Sequence, residues 1–202
     1  MKDIIITILI SYIIGAIPVG HIVGKIFFKT DITKKGSGNI GFANVAQHLG
    51  LKAAFAVFLL DYLEGFIAVL AVKLLFNTPL LNAVAALMVV VGHDFSVFMK
   101  FKGGKGASTT YGALTVLSPL ATLFGAFTFF GMLGIKKYIS LSNLVSISMI
   151  PVYMVFMKAN KNYIFAAFLL AALLIYTHRR NIADLISGKE LKITNSEPLK
   201  RK

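Results

Sequence analysis

The sequence predicts an all-α integral membrane protein, a bundle of seven transmembrane helices with its N-terminus outside and its C-terminus cytoplasmic. The first observation is composition: of 202 residues 57% are apolar and only 14% charged, with a mean hydropathy of +0.79. Soluble domains carry about a quarter charged residues, so this chain cannot build a water-facing surface. The second is the recurrence of apolar runs near the roughly 20 residues that a helix needs to cross a bilayer. The third is the sorting of basic residues to one side of those runs.

Taken in order, the runs are residues 4–28, 53–76, 80–99, 141–157 and 163–177. Between residues 106 and 134 lies a stretch too long for one ordinary span and short for two. Ser118-Pro119 sits near its middle, and proline inside a helix removes a backbone donor and clashes with the preceding turn. Splitting the stretch there places 17 basic residues inside and three, Lys2, Lys158 and Lys161, outside, with Lys73 left within a span. Treating it as one helix gives ten on each side. The positive-inside rule therefore selects the split. The fourth span is then a short, partial helix near 106–118, covering only about 20 Å of a roughly 30 Å hydrocarbon core. Such a helix is tolerated where protein surrounds it.

One membrane domain, residues 1–202, accounts for the whole pattern, with a polar cytoplasmic tail at about 181–202. The first run lacks a basic leader and a small-residue cleavage site, and reads as a retained span. Tyr12, Tyr62, Tyr138, Tyr153, Tyr163 and Tyr176 are candidates for interfacial belts, since tryptophan is absent. Cysteine is absent as well, which excludes disulfides and thiolate sites. The net charge of +13 belongs to loops facing anionic lipid, so no nucleic-acid partner is expected.

The split topology brings four polar clusters to the cytoplasmic face. The first is Gly36-Ser37-Gly38-Asn39-Ile40-Gly41-Phe42-Ala43-Asn44. Its glycines can turn successive backbone N–H groups toward one anion as a nest, with Ser37, Asn39 and Asn44 adding side-chain bonds. The same glycines also suit a flexible turn between spans. The second cluster is Gly92-His93 with Lys100-Phe101-Lys102-Gly103-Gly104-Lys105-Gly106. It is not a Walker A loop, since no Ser or Thr follows Lys105. Lys100 and Lys102 serve as membrane anchors; Lys105, held between glycines, does not fit that role and is a candidate ligand for phosphate. The third is Ser140-Leu141-Ser142-Asn143, and the fourth His178-Arg179-Arg180-Asn181, where His178 and Asn181 are one helical turn apart.

His93 fits three roles: general base, hydrogen-bonded interfacial residue, or helix cap. His21 is read as structural. Asp61 and Glu64, one turn apart in an apolar run, could mark a proton or cation path, pair with the lysine loops, or share a proton. Histidines and acids are not at metal-ligand spacings, so no metal site is expected. No Ser-His-Asp arrangement or Gly-x-Ser-x-Gly elbow supports an acyl-enzyme.

On these clusters the chain resembles the bacterial acyl-phosphate-dependent glycerol-3-phosphate acyltransferases, small seven-span inner-membrane enzymes. The resemblance rests on the first two clusters, on Ser140-Leu141-Ser142, and on His178 with Asn181 and Gly188-Lys189-Glu190. It implies transfer of a fatty acyl group from acyl phosphate to the 1-hydroxyl of glycerol 3-phosphate, giving lysophosphatidic acid and phosphate in phospholipid synthesis. It implies no cofactor, no metal and no acyl-enzyme, a monomer in contact with membrane lipid, and an active site on the cytoplasmic face of the inner membrane. The residues it implies for catalysis are Ser37, Lys105, His178 and Asn181. For substrate and phosphate it implies Gly36, Gly38, Asn39, Gly41, Asn44, His93, Gly103, Gly104, Gly106 and Ser142.

Five stretches depart from the family pattern: Phe42-Ala43 stands for Ala-Thr, Gln47 for an arginine, Glu64 for a lysine, Ser96 for a proline, and Ala107-Ser108-Thr109 for Val-Ala-Thr. An arginine can grip phosphate through two charge-assisted bonds and glutamine cannot. Two alternatives follow: a divergent member with weak activity or another phosphorylated acceptor, and a small transporter using Asp61 and Glu64. No inverted repeat supports transport.

Overall fold

The computed structural model describes residues 1–193. Among them are ten α-helices, two 3₁₀ turns and no strand: α1 (Lys2–Ala16), α2 (Val19–Phe28), α3 (Phe42–Leu49), α4 (Leu51–Phe76), α5 (Pro79–Asp94), α6 (Ala107–Leu117), α7 (Pro119–Lys136), α8 (Ile139–Phe156), α9 (Lys161–Thr177) and α10 (Arg179–Ile186). Five segments are long and apolar enough to cross a membrane: Lys2–Phe28, Leu51–Phe76, Pro79–Met99, Pro119–Lys136 and Ile139–Phe156. A sixth is α9 taken with α10 across a 60° bend.

Proline sets three of the boundaries. Pro79 and Pro119 open α5 and α7 at the first helical turn, where a missing N–H costs nothing. The expected break at Ser118-Pro119 is therefore a helix end followed by a helix start. Pro18 does what the apolar run 4–28 concealed, dividing it into α1 and α2. Between α2 and α4 lies α3, a separate short helix that the apolar runs do not show and that carries Asn44 in its first turn.

The short α6 lies within protein. Thr109, Thr110, Gly112, Ala113, Leu114, Val116 and Leu117 are all buried, so its ends are not exposed to lipid along most of its surface. Glycine makes the approach possible: a Cβ at Gly112 would strike the Tyr62 carbonyl, and one at Gly65 the Thr109 carbonyl, so α4 and α6 touch backbone to backbone. The two helices meet where Thr109 donates to Glu64 (3.5 Å) and again further along both, where Lys73 donates to the Val116 carbonyl (3.2 Å). The two helices are thus parallel, and α6 leads away from the end that carries Lys105.

Several of the tyrosines read as interfacial candidates bridge helices. Tyr12 donates to the Phe95 carbonyl (2.9 Å), Tyr62 to Thr115 (3.0 Å), and Tyr163 accepts from Asn82 (3.0 Å). Tyr138 and Tyr176 keep basic neighbours at the loop-bearing end, Lys192 and Arg179.

Candidate active site

The first glycine cluster is organised by Asn44, which is buried in the first turn of α3. Its side-chain amide donates to the carbonyls of Ile32 (3.3 Å), Lys35 (3.1 Å) and Asn39 (2.7 Å), and its oxygen accepts from the Ser37 amide (3.2 Å). Gly38 N–H donates to Lys35 (2.8 Å), Asn39 N–H to the Ser37 hydroxyl (3.4 Å), and Gly41 N–H to the Asn39 side chain (2.8 Å). The amides expected to form an anion nest are thus engaged inside the loop. Gly36 is needed for packing and backbone shape (φ 52°), since a Cβ there would strike Asn44 and the His48 ring.

The second cluster folds down onto the end of α5. Gly103 N–H donates to the Asp94 carbonyl and Gly104 N–H to the His93 carbonyl, both at 3.0 Å. A Cβ on Gly103 would meet the His93 carbonyl, and one on Gly104 the His93 ring. This seating leaves Lys105 projecting: its ammonium donates to Asn181 Oδ1, and Asn181 in turn donates to Glu190 Oε1 (2.8 Å). Thr177 holds the Lys105 carbonyl (3.2 Å). Burial pulls Lys105 below the ordinary lysine range, with Glu190 acting the other way. Lys100 and Lys102 are exposed, as anchors are.

These loops enclose a polar cavity of about 170 Å³. Ser37, Asn39, Gly41, Asn44, His93, Lys105, Gly106, His178 and Asn181 line it, which brings together nine residues from three separated clusters. Gly36, Gly38, Gly103, Gly104 and Ser142 do not line it. Ser142 turns back along α8 and donates to the Tyr138 carbonyl (2.7 Å). Ser140 and Asn143, three residues apart on the other face of that helix, take its place at the wall.

Three helices begin at this cavity. Gly41, Phe42 and Ala43 open α3; Gly106, Ala107 and Ser108 open α6; Ile139 and Ser140 open α8. No side chain caps any of the three N-termini. The first N–H groups of a helix lack partners inside it and carry about half a positive charge together, so uncapped N-termini attract an anion.

His178 stands between α9 and α10 and is buried. Its Nδ1 lies 3.0 Å from the Leu174 carbonyl, which only accepts, so Nδ1 carries the proton and the neutral ring keeps a lone pair on Nε2. Gln47 lines the cavity, and neither Arg179 nor Arg180 does. Arg179 instead lies 4.5 Å from the centre of the Tyr176 ring. Lys189 supplies a second cation to the wall, and Asp184, Glu190, Leu191 and Ile193 complete it. Sequence reasoning missed Asp184 and Ile193, while Gly188-Lys189-Glu190 was the one signal of the tail's part. Asp61, Glu64 and His93 draw together at the cavity wall, which Asp61 and His93 line, with His93 Nδ1 3.1 Å from Glu64 Oε1.

Beside the polar cavity is a second one of about 510 Å³, apolar, between α4, α6 and α7. Phe55, Phe58, Tyr111, Leu123, Phe129 and Phe130 line it, and Phe55, Leu123 and Phe130 face outward toward lipid. The two cavities share Phe42, Ser108, Ile139, Asn143 and Ile193.

An all-helical membrane bundle with an anion-attracting cavity joined to an apolar groove is an architecture for a molecule that is phosphate at one end and hydrocarbon at the other. Residues 5–188 match the family model described as glycerol-3-phosphate acyltransferase. Glycerol-3-phosphate acyltransferase 2 of Moorella thermoacetica is 36% identical over 94% of this chain and 97% of its own. Glycerol-3-phosphate acyltransferase of Thermoanaerobacter pseudethanolicus is 39% identical over 97% and 98%. The glycerol 3-phosphate form of PlsY (YgiH), an integral membrane glycerol 3-phosphate acyltransferase, superposes with a TM-score of 0.90 at 33% identity, over 95% of this chain and 96% of that one. Its lysophosphatidic acid form gives 0.89 at 33% identity, over 97% and 98%. The chain belongs to the glycerol-3-phosphate acyltransferase family of PlsY type, and is an integral membrane acyltransferase.

Proposed function

We propose that the enzyme takes its acyl group from acyl phosphate, transfers it to the 1-hydroxyl of glycerol 3-phosphate, and releases lysophosphatidic acid and inorganic phosphate. The observation that carries this reading is the shared wall between the two cavities. A donor with its chain in the apolar groove and its phosphate among the three helix N-termini has its carbonyl at Ser108 and Asn143. The acceptor's phosphate is held by Ser37, Asn39 and Lys189. Its hydroxyl attacks the acyl carbonyl, the carbonyl–phosphate C–O bond breaks, and the proton passes to the departing phosphate. Lys105 and the free N–H groups of α6 stabilise the charge that develops on carbonyl oxygen and phosphate. His178 Nε2 accepts from the attacking hydroxyl and orients it, and Asn181 positions Lys105.

The same reading sets the topology: seven spans, with α6 as the short one, the N-terminus outside, and the cavity on the cytoplasmic face of the inner membrane. The parallel course of α4 and α6 and the sorting of basic residues support it. Gln47 at the wall, with no arginine lining the cavity among the described residues, supports a second reading in which acceptor binding is weak or the acceptor differs.

Purified protein in bilayers, given acyl phosphate and glycerol 3-phosphate, tests both readings. Phosphate and lysophosphatidic acid in equal amounts are expected from the parent and not from Lys105→Ala. Product only after Gln47→Arg would favour the second reading, and no product from either would overturn the donor assignment. Because the chain has no cysteine, single cysteines at Lys102 and Lys158 report sidedness by impermeant labelling.

A further inference from the structure

Three carboxylates are buried beside the polar cavity, Asp61 at 2% exposure, Glu64 at 8% and Asp94 at 4%. Among the described residues no lysine or arginine pairs with any of them, and the only ionic partner is His93, 3.1 Å from Glu64. Asp61 Oδ1 and Glu64 Oε2 have no hydrogen-bond partner among those residues. Buried charge is stable only when paired or when it coordinates a cation. One donor atom from each of Asp61, Glu64 and His93 lies within 4.8 Å of the others.

We propose that Asp61, Glu64 and His93 bind one divalent transition-metal cation, Zn²⁺ or Mn²⁺, in the wall of the polar cavity. An imidazole with two carboxylates is a borderline donor set that serves either ion. Ligands about 2.1 Å from a tetrahedral metal stand roughly 3.4 Å apart. His93 Nδ1 and Glu64 Oε1 are hydrogen-bonded at 3.1 Å, through a proton the cation would displace, and small side-chain rotations bring the three donors from within 4.8 Å of one another to ligand spacing. Asp61 and Glu64 are fixed one turn apart on α4, and His93 is fixed by the Gly104 loop packed on its ring. Asp61 and His93 also line the cavity, which gives the ion an entry path and leaves its open position toward a bound phosphate. The cation neutralises the buried acids and adds attraction for phosphate; the acyl transfer proposed above needs no step through it.

The test uses full-length protein in detergent, stripped with chelator and dialysed against Zn²⁺ or Mn²⁺, with metal content and thermal unfolding as readouts. One equivalent of one of these ions per chain is expected, with a rise in Tm of several degrees. Glu64→Gln and Asp61→Asn are each expected to weaken retention more than about tenfold. Asp184→Asn, which alters a cavity carboxylate outside the cluster, is expected to leave it unchanged. Less than a tenth of an equivalent of both ions in the folded parent would overturn the proposal, as would equal retention in folded Glu64→Gln or Asp61→Asn. Either result means that the acids hold protons instead. If Glu64→Gln does not fold, parent stoichiometry and Asp61→Asn decide. Phosphate release from acyl phosphate, read in the same preparations, reports acyl transfer separately.

Discussion

The two glycine-rich loops look alike in sequence and do different work. Residues 36–41 are tied to α3 by Asn44, and their N–H groups donate to the side chains of Asn44, Ser37 and Asn39 and to the Lys35 carbonyl. Residues 103–106 are laid against α5 by His93 and Asp94 carbonyls, and the lysine between their glycines is delivered to the cavity. Gly38, Gly41, Gly103 and Gly104 have their N–H groups engaged within the protein. They let the backbone come close to a buried side chain, and the anion-attracting groups are the helix starts that the loops position.

That contrast is sharpest at Lys105. Lys105→Ala removes the one cation whose place the second loop exists to fix, and should lower kcat/KM about 10²–10³-fold with little change in Tm. Gly104→Ala should come next, at about 10²-fold, because the added methyl meets the His93 ring and displaces both ring and lysine. Expected loss in the first loop is smaller and of another kind. Asn44→Ala strips bonds from three carbonyls and an amide, so about 1–3 kcal/mol of stability should go, with roughly tenfold in activity. Had the first loop been an anion nest, Asn44→Ala would match Lys105→Ala in activity at unchanged Tm.

Two milder substitutions test the walls. Gln47→Arg should lower KM for glycerol 3-phosphate about fivefold, since a charge-assisted bond is roughly twice as strong as a neutral one. Ser140→Ala should cost a few-fold in kcat/KM, and Ser142→Ala less than about twofold, because Ser140 lines the cavity while the Ser142 hydroxyl is bonded back along α8.

Much of the fold was legible. Apolar runs located α4, α5, α8 and α9, and the charge count found both the Ser118-Pro119 break and the short α6. Pro18 was equally visible, but an unbroken apolar run masked it, since hydropathy carries no information about backbone continuity. Helix α3 was hidden for the opposite reason: its glycine- and lysine-rich approach looks like loop, and only the packing of Val45 and Ala46 into the interior defines it. In the site, Ser37, Lys105, His178 and Asn181 were readable as motif residues and do meet at one cavity. Which of Ser140 and Ser142 faces inward depends on helical phase, set by where α8 begins. The convergence of Asp61, Glu64 and His93 joins residues some thirty positions apart through the packing of α4 on α5, which spacing within one segment does not reveal.

The wall common to the two cavities has a kinetic consequence. With the acyl phosphate donor proposed above, one substrate arrives from water and is counted per litre, while the other enters the apolar groove between α4 and α7 from the bilayer and is counted per lipid. Diluting the membrane with inert lipid at fixed total donor should therefore slow the enzyme as surely as removing donor, while diluting the whole suspension should slow it only through the water-borne acceptor.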